Sequence, residues 1–140
     1  MVAGKNYNVQ TKQKQFKAKS SHICFASAVP AGMTRYVTCV GVMQEQGNAI
    51  KGSRVTFCST AASGTATNMT VASANQKLSI GIGSFIASHI WEKTVMLPPG
   101  GPDTKHPLFT IAESKWFVAV LGSAAGTSQI CNVFAQWYDQ

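Results

Sequence analysis

Short apolar runs separated by turn-forming residues recur along the chain from residue 22 onward. The clearest run covers residues 35–43, where β-branched and aromatic residues predict a strand. Both faces of this strand are largely apolar, so we expect it to be a central strand that is buried on both sides. A regular alternation would place Tyr36, Thr38, Val40 and Val42 on one face and Val37, Cys39 and Met43 on the other.

The other apolar runs also have the length and composition of strands, and Gly, Pro, Ser and Asn separate them. They lie at 22–28, 52–60, 68–72, 77–82, 108–112, 115–121 and 127–138. In the last run, Ile130, Asn132, Phe134 and Gln136 alternate with Cys131, Val133, Ala135 and Trp137. Residues 84–97 fit either a strand or a short helix capped by Ser84, and we favour a strand because its neighbours are strands.

About eight or nine short strands with regular turn signals predict an all-β fold, an antiparallel β-sandwich. We expect it to be jelly-roll-like and to carry an extended N-terminal arm. An immunoglobulin-like sandwich is the alternative, since strand order cannot be read from the sequence. The expected organisation is a basic arm at residues 1–20 followed by one sandwich domain at residues 21–140.

The charge distribution sets the first 20 residues apart from the rest of the chain. The 140 residues contain 12 Lys and Arg against 5 Asp and Glu, a formal charge of +7. Residues 1–20 contribute +5 without any acid, so the body carries only +2. The predicted partner-binding residues of the arm are Lys5, Lys12, Lys14, Phe16, Lys17 and Lys19. We expect the arm to be mobile when free and to bind an acidic partner, either protein or nucleic acid. A solubilising tail is the other interpretation.

The sequence offers little material for catalysis or for holding a cofactor. There is no Gly-x-Ser-x-Gly motif, and the candidate acid–histidine pair that we consider is His106 with the nearby Asp103. Cys24, Cys39, Cys58 and Cys131 lack the Cys-x-x-Cys spacing of zinc sites, so we expect buried free thiols. We therefore predict a non-enzymatic protein with no catalytic residues, no cofactor and no metal.

The N-terminus lacks the apolar core of a signal peptide, and the uncharged runs at 55–76 and 116–138 are too polar for a membrane span. Only 12% of residues are charged, and a surface with so few charges is prone to association. Near the C-terminus, Phe134, Trp137 and Tyr138 either pack under a sheet edge or form a subunit interface.

The segment Val29-Pro-Ala-Gly-Met-Thr-Arg-Tyr-Val-Thr-Cys-Val-Gly-Val42 resembles an element of small β-sandwich virion proteins of tailed bacteriophages. There, a Val-Pro-Ala-Gly turn precedes a long strand that ends near a loop Asn, here Asn48. Leu97-Pro-Pro-Gly-Gly101 and the runs at 108–112 and 117–120 are similar to the second half of that pattern. Where such proteins usually have Gly-Asp before the penultimate strand, this chain has Glu113-Ser-Lys115.

The resemblance implies a capsid decoration (cement) or head-fibre subunit, commonly trimeric, whose arm reaches the capsid or a neighbour. Our leading hypothesis is therefore a virion protein made in the host cytoplasm. Its expected partners are further copies of itself, with a trimer favoured, and a major capsid protein. One alternative is a small viral coat protein whose basic arm binds packaged nucleic acid. Another is a carbohydrate-binding module that uses Trp91, Trp116 and Trp137.

Overall fold

The computed structural model of the chain describes residues 8–16, 22–47, 53–61, 75–83, 93–99, 101–122 and 129–140. Nine β-strands lie within these residues. They are β1 Gln10–Phe16, β2 His22–Ala26, β3 Arg35–Gly47, β4 Ser53–Thr60, β5 Gln76–Gly83, β6 Lys93–Leu97, β7 Phe109–Ile111, β8 Trp116–Gly122 and β9 Gln129–Asp139. No helix in this part of the chain is long and apolar enough to cross a bilayer.

The strands form two antiparallel sheets. The first sheet has the order β1-β9-β3-β6, with β7 paired to β3, and the second has the order β2-β8-β4-β5. Without β7, this is the arrangement of a jelly roll, in which two four-stranded sheets interleave along the chain. An immunoglobulin-like sandwich pairs its first two strands, whereas β1 and β2 lie in different sheets here. The predicted all-β antiparallel sandwich is confirmed, and the strand order favours the jelly roll.

The hydrophobic core lies between the two sheets and is built from their inward-facing side chains. Aromatic rings from β2, β4, β8 and β9 meet at its centre, surrounded by β-branched residues. Among the described residues, the largest fully buried side chains are Phe25, Phe57, Phe117, Ile111, Val29, Val37, Val40, Val42, Val55 and Val118, and all except Val118 belong to this core. Val118 is buried on the opposite face of β8, since it pairs with Cys58 rather than with a core residue.

The central position predicted for residues 35–43 is confirmed, because β3 lies between β9 and β6. The predicted alternation is wrong at Thr38, where the pairing of β3 with β9 shifts by one residue. As a result Val37 and Val40 both face the core, opposite Trp137 and Ala135. The hydroxyl of Thr38 donates to the Gln136 carbonyl at 3.1 Å, which accommodates the extra residue of this bulge.

Within the expected N-terminal arm, Gln10–Phe16 form β1 and pair with β9 at the edge of the first sheet. The sequence Gln-Thr-Lys-Gln-Lys-Gln-Phe has no apolar face, so periodicity alone gives no strand signal. An edge strand needs little burial, because pairing of its backbone with β9 satisfies half of its polar groups. The expected boundary at residue 20 falls outside the described residues.

The Val-Pro-Ala-Gly turn, which carried the family resemblance, contacts the Glu113-Ser-Lys115 turn, which departs from the family pattern, at one end of the sandwich. Val29 donates its N–H to the Lys115 carbonyl at 3.0 Å, and Ser114 donates to the Val29 carbonyl at 2.9 Å. The Gly32 N–H donates to the Glu113 carboxylate at 2.7 Å. Gly32 has a φ of 76°, a conformation that glycine adopts without a steric penalty. The Val-Pro-Ala-Gly turn therefore fixes the connection between β2 and β3 against that between β7 and β8.

One predicted segment is not described and another is described only in part. The strand expected at 68–72 and most of the ambiguous segment, residues 84–92, lie outside the described residues. The end of that segment, Lys93–Leu97, is strand β6 and pairs with β3.

Candidate functional site

The free edge of β1 is the candidate functional site. Among the described strands, β1 pairs with β9 alone, so none of them is hydrogen-bonded to its other edge. The side chains of residues 10–14 are exposed along this edge. The edge of a sheet presents backbone N–H and C=O groups that are free to pair with another chain. The edge of β1 is therefore a place where a further extended segment can bind.

Lys12 and Lys14 project from the same face of β1. Lys12 lies opposite Ala135 and Lys14 opposite Val133, and both partners are fully buried in the core. Residues directly opposite each other in antiparallel strands share a face of the sheet. The two lysines therefore lie on the inner face of the first sheet, but at its edge, where their side chains remain exposed. Inward-facing lysines on an edge strand oppose its pairing with other copies of the same strand.

The basic edge of β1 lies beside β2, which is the edge strand of the second sheet. Burial raises the pKa of the Cys24 thiol in β2. The hydrogen bond of that thiol to the Ala26 carbonyl and the charges of Lys14 and Arg35 act in the opposite direction. Lys14 is thus near enough to β2 for its charge to act on Cys24.

The carboxylates whose side chains the structure describes are bound elsewhere. Asp139 accepts hydrogen bonds from the guanidinium of Arg35, and Glu113 accepts one from the Gly32 N–H. Asp103 is hydrogen-bonded to the Lys105 N–H and to the ring of His106. Within this set, none forms an ion pair with Lys12 or Lys14. With respect to the described carboxylates, the positive charge on β1 is therefore available to an external anion.

The remaining predicted arm residues lie outside the described residues or are described only in part. Lys5, Lys17 and Lys19 lie outside the described residues. The backbone of Phe16 pairs with Cys131 at the end of β1, and its side chain is not described. The site thus rests on Lys12 and Lys14.

The predicted interface residues Phe134, Trp137 and Tyr138 lie in three different environments. Trp137 faces the core at 2% exposure, so the prediction of an interface role is withdrawn for it. Tyr138 lies on the outer face but is only 4% exposed, because its ring stacks on Tyr36 with centroids 5.1 Å apart. Its hydroxyl also donates to the Thr104 carbonyl at 3.0 Å, under the loop that follows β6. Only Phe134 remains a candidate for contact with another subunit.

Phe134 lies half-buried on the outer face of the first sheet, in a row that crosses four strands. The register places it between Gln13 of β1 and Gly41 of β3, and Met96 of β6 lies beyond Gly41. A Cβ at position 41 would overlap the Phe134 ring, so the ring lies directly over the glycine backbone. Met96, at 41% exposure, extends this apolar row towards β6.

Replacing Gly41 with alanine is expected to lower the free energy of unfolding by about 1–3 kcal/mol, because the new Cβ must displace the Phe134 ring. The matched control makes the same change in a Phe134→Ala background, where the ring is absent and the cost should nearly vanish. Urea denaturation of the four proteins gives the coupling energy between the two positions. Equal costs in both backgrounds would contradict the packing of this ring over Gly41.

Asp103 and His106 form the acid–histidine contact that their proximity in sequence predicts, with Nδ1 and Oδ2 2.9 Å apart. The hydrogen bond with His106, aided by that from the Lys105 N–H, holds the pKa of Asp103 below its usual value. The His106 side chain is 82% exposed, and within the described residues no Ser or Cys is hydrogen-bonded to its ring. In the described part of the chain, Asp103 therefore serves to close the turn after Pro102.

The described cysteines are free thiols, as predicted: Cys39 and Cys58 are buried and Cys24 is half-buried. Burial raises the pKa of all three and brings that of Cys58 to about 11, so they are poor nucleophiles near neutral pH. In the described part of the chain, no group of three His, Cys, Asp or Glu side chains could hold a metal ion.

The edge position of β1 and the row formed by Phe134, Gly41 and Met96 depend on strand pairing and do not follow from the sequence. Lys12 and Lys14 are two residues apart, which is the spacing that places side chains on one face of a strand. That spacing places the two lysines on one face if the segment is a strand, but it does not by itself mark the segment as one. No comparable signal marks the row, because its members come from strands distant in sequence.

No family model, curated protein or solved structure matches this chain.

Proposed function

We propose that this protein is a non-enzymatic virion structural subunit of the capsid decoration or cement type. It associates with further copies of itself, a trimer being the favoured form, and docks on a lattice of major capsid protein. Docking uses the basic N-terminal segment, of which Lys12 and Lys14 on β1 form the described part.

The strand order β1-β9-β3-β6 and β2-β8-β4-β5 is the observation that carries the proposal. Jelly rolls of this kind are widely used in viral capsids, and also in lectins and cupins. Cupin-type metal chemistry would require a ligand cluster, and none is found among the described residues. Since a fold alone does not determine function, the proposal also relies on the basic edge of β1.

The low charge of the chain supports association. Only 12% of its residues are charged, and five of its twelve Lys and Arg residues lie in the first 20 positions. A sparsely charged body suits a subunit whose faces are covered in an assembly. The outer face around Phe134 and Met96 is one apolar surface that such an assembly would cover.

The experiment that tests the proposal is a particle-labelling assay. Antibodies against the purified protein should label particles from the organism that encodes the chain, at regularly spaced surface positions seen by electron microscopy. Particles stripped of the protein should regain that labelling when the purified protein is added back. The purified protein should also have a mass three times that of the chain by light scattering. Particles that never contain the protein would overturn the proposal.

Charge reversal is the appropriate way to test docking through the N-terminal segment. Deleting residues 1–20 would remove β1 and expose β9, so a loss of docking could simply reflect damage to the sheet. Lys12→Glu with Lys14→Glu leaves the strand in place and should abolish re-decoration of stripped particles. The matched control, Lys77→Glu with Lys105→Glu, changes the net charge equally at exposed positions elsewhere and should retain it.

A coat protein that binds packaged nucleic acid is the second candidate, favoured by the same exposed lysines. Five lysines that all contact phosphates would give a log–log salt dependence with a slope of roughly −4 to −5 on duplex DNA. The carbohydrate-binding alternative loses most of its basis. Trp137 is buried in the core, Trp116 is half-buried on β8, and Trp91 lies outside the described residues.

A further inference from the structure

We propose that the edge of β1 binds an extended acidic segment of a partner protein, which adds to the first sheet as a further strand beside β1. This rests on the proposed function and names the chemistry of its docking step. The partner segment would carry carboxylates at alternate positions, so that one lies opposite Lys12 and the next opposite Lys14.

The backbone of β1 supplies the first part of this site. Its seven residues pair with β9 on one side, and no described strand pairs with the other side. Addition of a strand to such an edge forms main-chain hydrogen bonds that provide affinity, while alternate side chains provide specificity. The exposed side chains of residues 10–14 leave this approach open.

The side chains of β1 determine the sign of the partner. Lys12 and Lys14 share one face, and none of the described carboxylates pairs with them. Opposite charges that face each other across two strands stabilise the pair, whereas like charges destabilise it. An acidic strand therefore fits this edge, because it would form both main-chain hydrogen bonds and charge pairs. A neutral strand would form only the main-chain hydrogen bonds.

A second copy of the chain is a poor occupant for the same reason. An antiparallel pair of β1 strands centred on Gln13 would place each Lys12 opposite Lys14 of the other copy. The chain also contains no two acidic residues spaced two apart, since its five acids are widely scattered. The complementary strand must therefore come from a different protein, which is consistent with docking on a capsid lattice.

The test uses the full-length protein and synthetic peptides of seven residues, the length of β1. A fluorescein-labelled peptide in which Glu alternates with Thr should bind, as measured by fluorescence anisotropy. Replacing its Glu with Gln, or collecting its Glu residues in one contiguous block, should weaken binding by roughly fivefold or more. Equal binding of all three peptides would overturn the proposal.

Protein variants test the role of the lysines. The double variant Lys12→Glu and Lys14→Glu should no longer bind the Glu–Thr peptide. It should instead bind a peptide in which Lys alternates with Thr. The control pair Lys77→Glu and Lys105→Glu should bind the Glu–Thr peptide within about twofold of the unmodified protein. Circular dichroism of all variants checks that they are folded. Unchanged peptide selectivity in the β1 variant would also overturn the proposal.

N-methylated peptides separate strand addition from simple charge attraction. A strand directs successive N–H groups to opposite sides, so methylating one alternate set should abolish binding while methylating the other should not. Single-stranded DNA serves as the nucleic-acid probe. If both methylated peptides bind equally and the DNA binds more tightly than any peptide, the edge is a general polyanion surface and strand addition is excluded. These assays need no particles, so a negative result rejects strand addition without deciding the proposed function. The particle-labelling experiment tests that function separately.

Discussion

Replacing Phe117 with alanine is expected to lower the free energy of unfolding by about 3–5 kcal/mol. The Phe117 side chain is fully buried between the sheets. Its ring contacts four others, with centroid distances of 4.7 Å to Phe25, 5.8 Å to Phe109, 5.8 Å to Trp137 and 6.2 Å to Phe57. Since these rings come from both sheets, its removal leaves a cavity that neither sheet can close without moving the other.

Urea denaturation monitored by circular dichroism measures this cost as a shift of the midpoint at an unchanged slope. Phe134→Ala is the matched control, because it makes the same chemical change on the half-buried outer face of the first sheet. That site opens towards solvent, so the control should lose distinctly less stability. A cost for Phe117→Ala no larger than that for Phe134→Ala would contradict the central position of Phe117 in the core.

The strands with apolar side chains on at least one face could be predicted from the sequence. Residues 35–43 and 127–138 were recognised because buried strands require such side chains, whatever their neighbours are. The alternation in β9 was also predicted correctly, with Val133, Ala135 and Trp137 on one face. Only the structure identifies that face as the inner one, since this depends on which strands lie beside β9.

The bulge at Thr38 could not be predicted, because it depends on the pairing of β3 with β9. A regular strand would place Tyr36 and Val40 on the same face. The register shift moves Tyr36 to the outer face, where it stacks on Tyr138, while Val40 stays in the core. The hydrogen bond from Thr38 to Gln136 that accommodates the extra residue joins positions far apart in sequence.

The sequence predicts the positive charge of the candidate site but not its position on an edge strand. The concentration of lysine before residue 20 is evident from composition, and it includes Lys12 and Lys14. Their position on an edge strand depends on β9, which lies at the other end of the chain. A polar segment can be either a free arm or an edge strand, and which of the two it forms depends on whether another strand pairs with it. The structure thus replaces a flexible basic tail, over Gln10–Phe16, with a fixed basic edge.

Arg35 holds the end of β9 against β3 through a largely buried ion pair. Its Nε and one terminal nitrogen donate to the two carboxylate oxygens of Asp139 at 2.8 and 2.9 Å, and the other terminal nitrogen donates to the Ser27 carbonyl at 3.1 Å. The guanidinium also lies 5.3 Å from the centroid of the Trp137 ring. Arg35 is 3% exposed and the Asp139 side chain 23%. This bidentate geometry suits arginine and cannot be reproduced by lysine.

Replacing Arg35 with methionine is expected to lower the free energy of unfolding by about 2–4 kcal/mol, because the carboxylate of Asp139 loses its partner while it stays largely buried. This expected loss is smaller than the largest losses known for breaking a buried ion pair, because part of the Asp139 side chain is exposed to solvent.

Asp139→Asn should also destabilise, and the double variant should cost less than the sum of the two, because neither charge then remains without a partner. Lys105→Met, which removes an exposed cation, is the control and should change stability by less than about 0.5 kcal/mol. Strictly additive costs for Arg35→Met and Asp139→Asn in urea denaturation would mean that the ion pair does not stabilise this end of the sandwich.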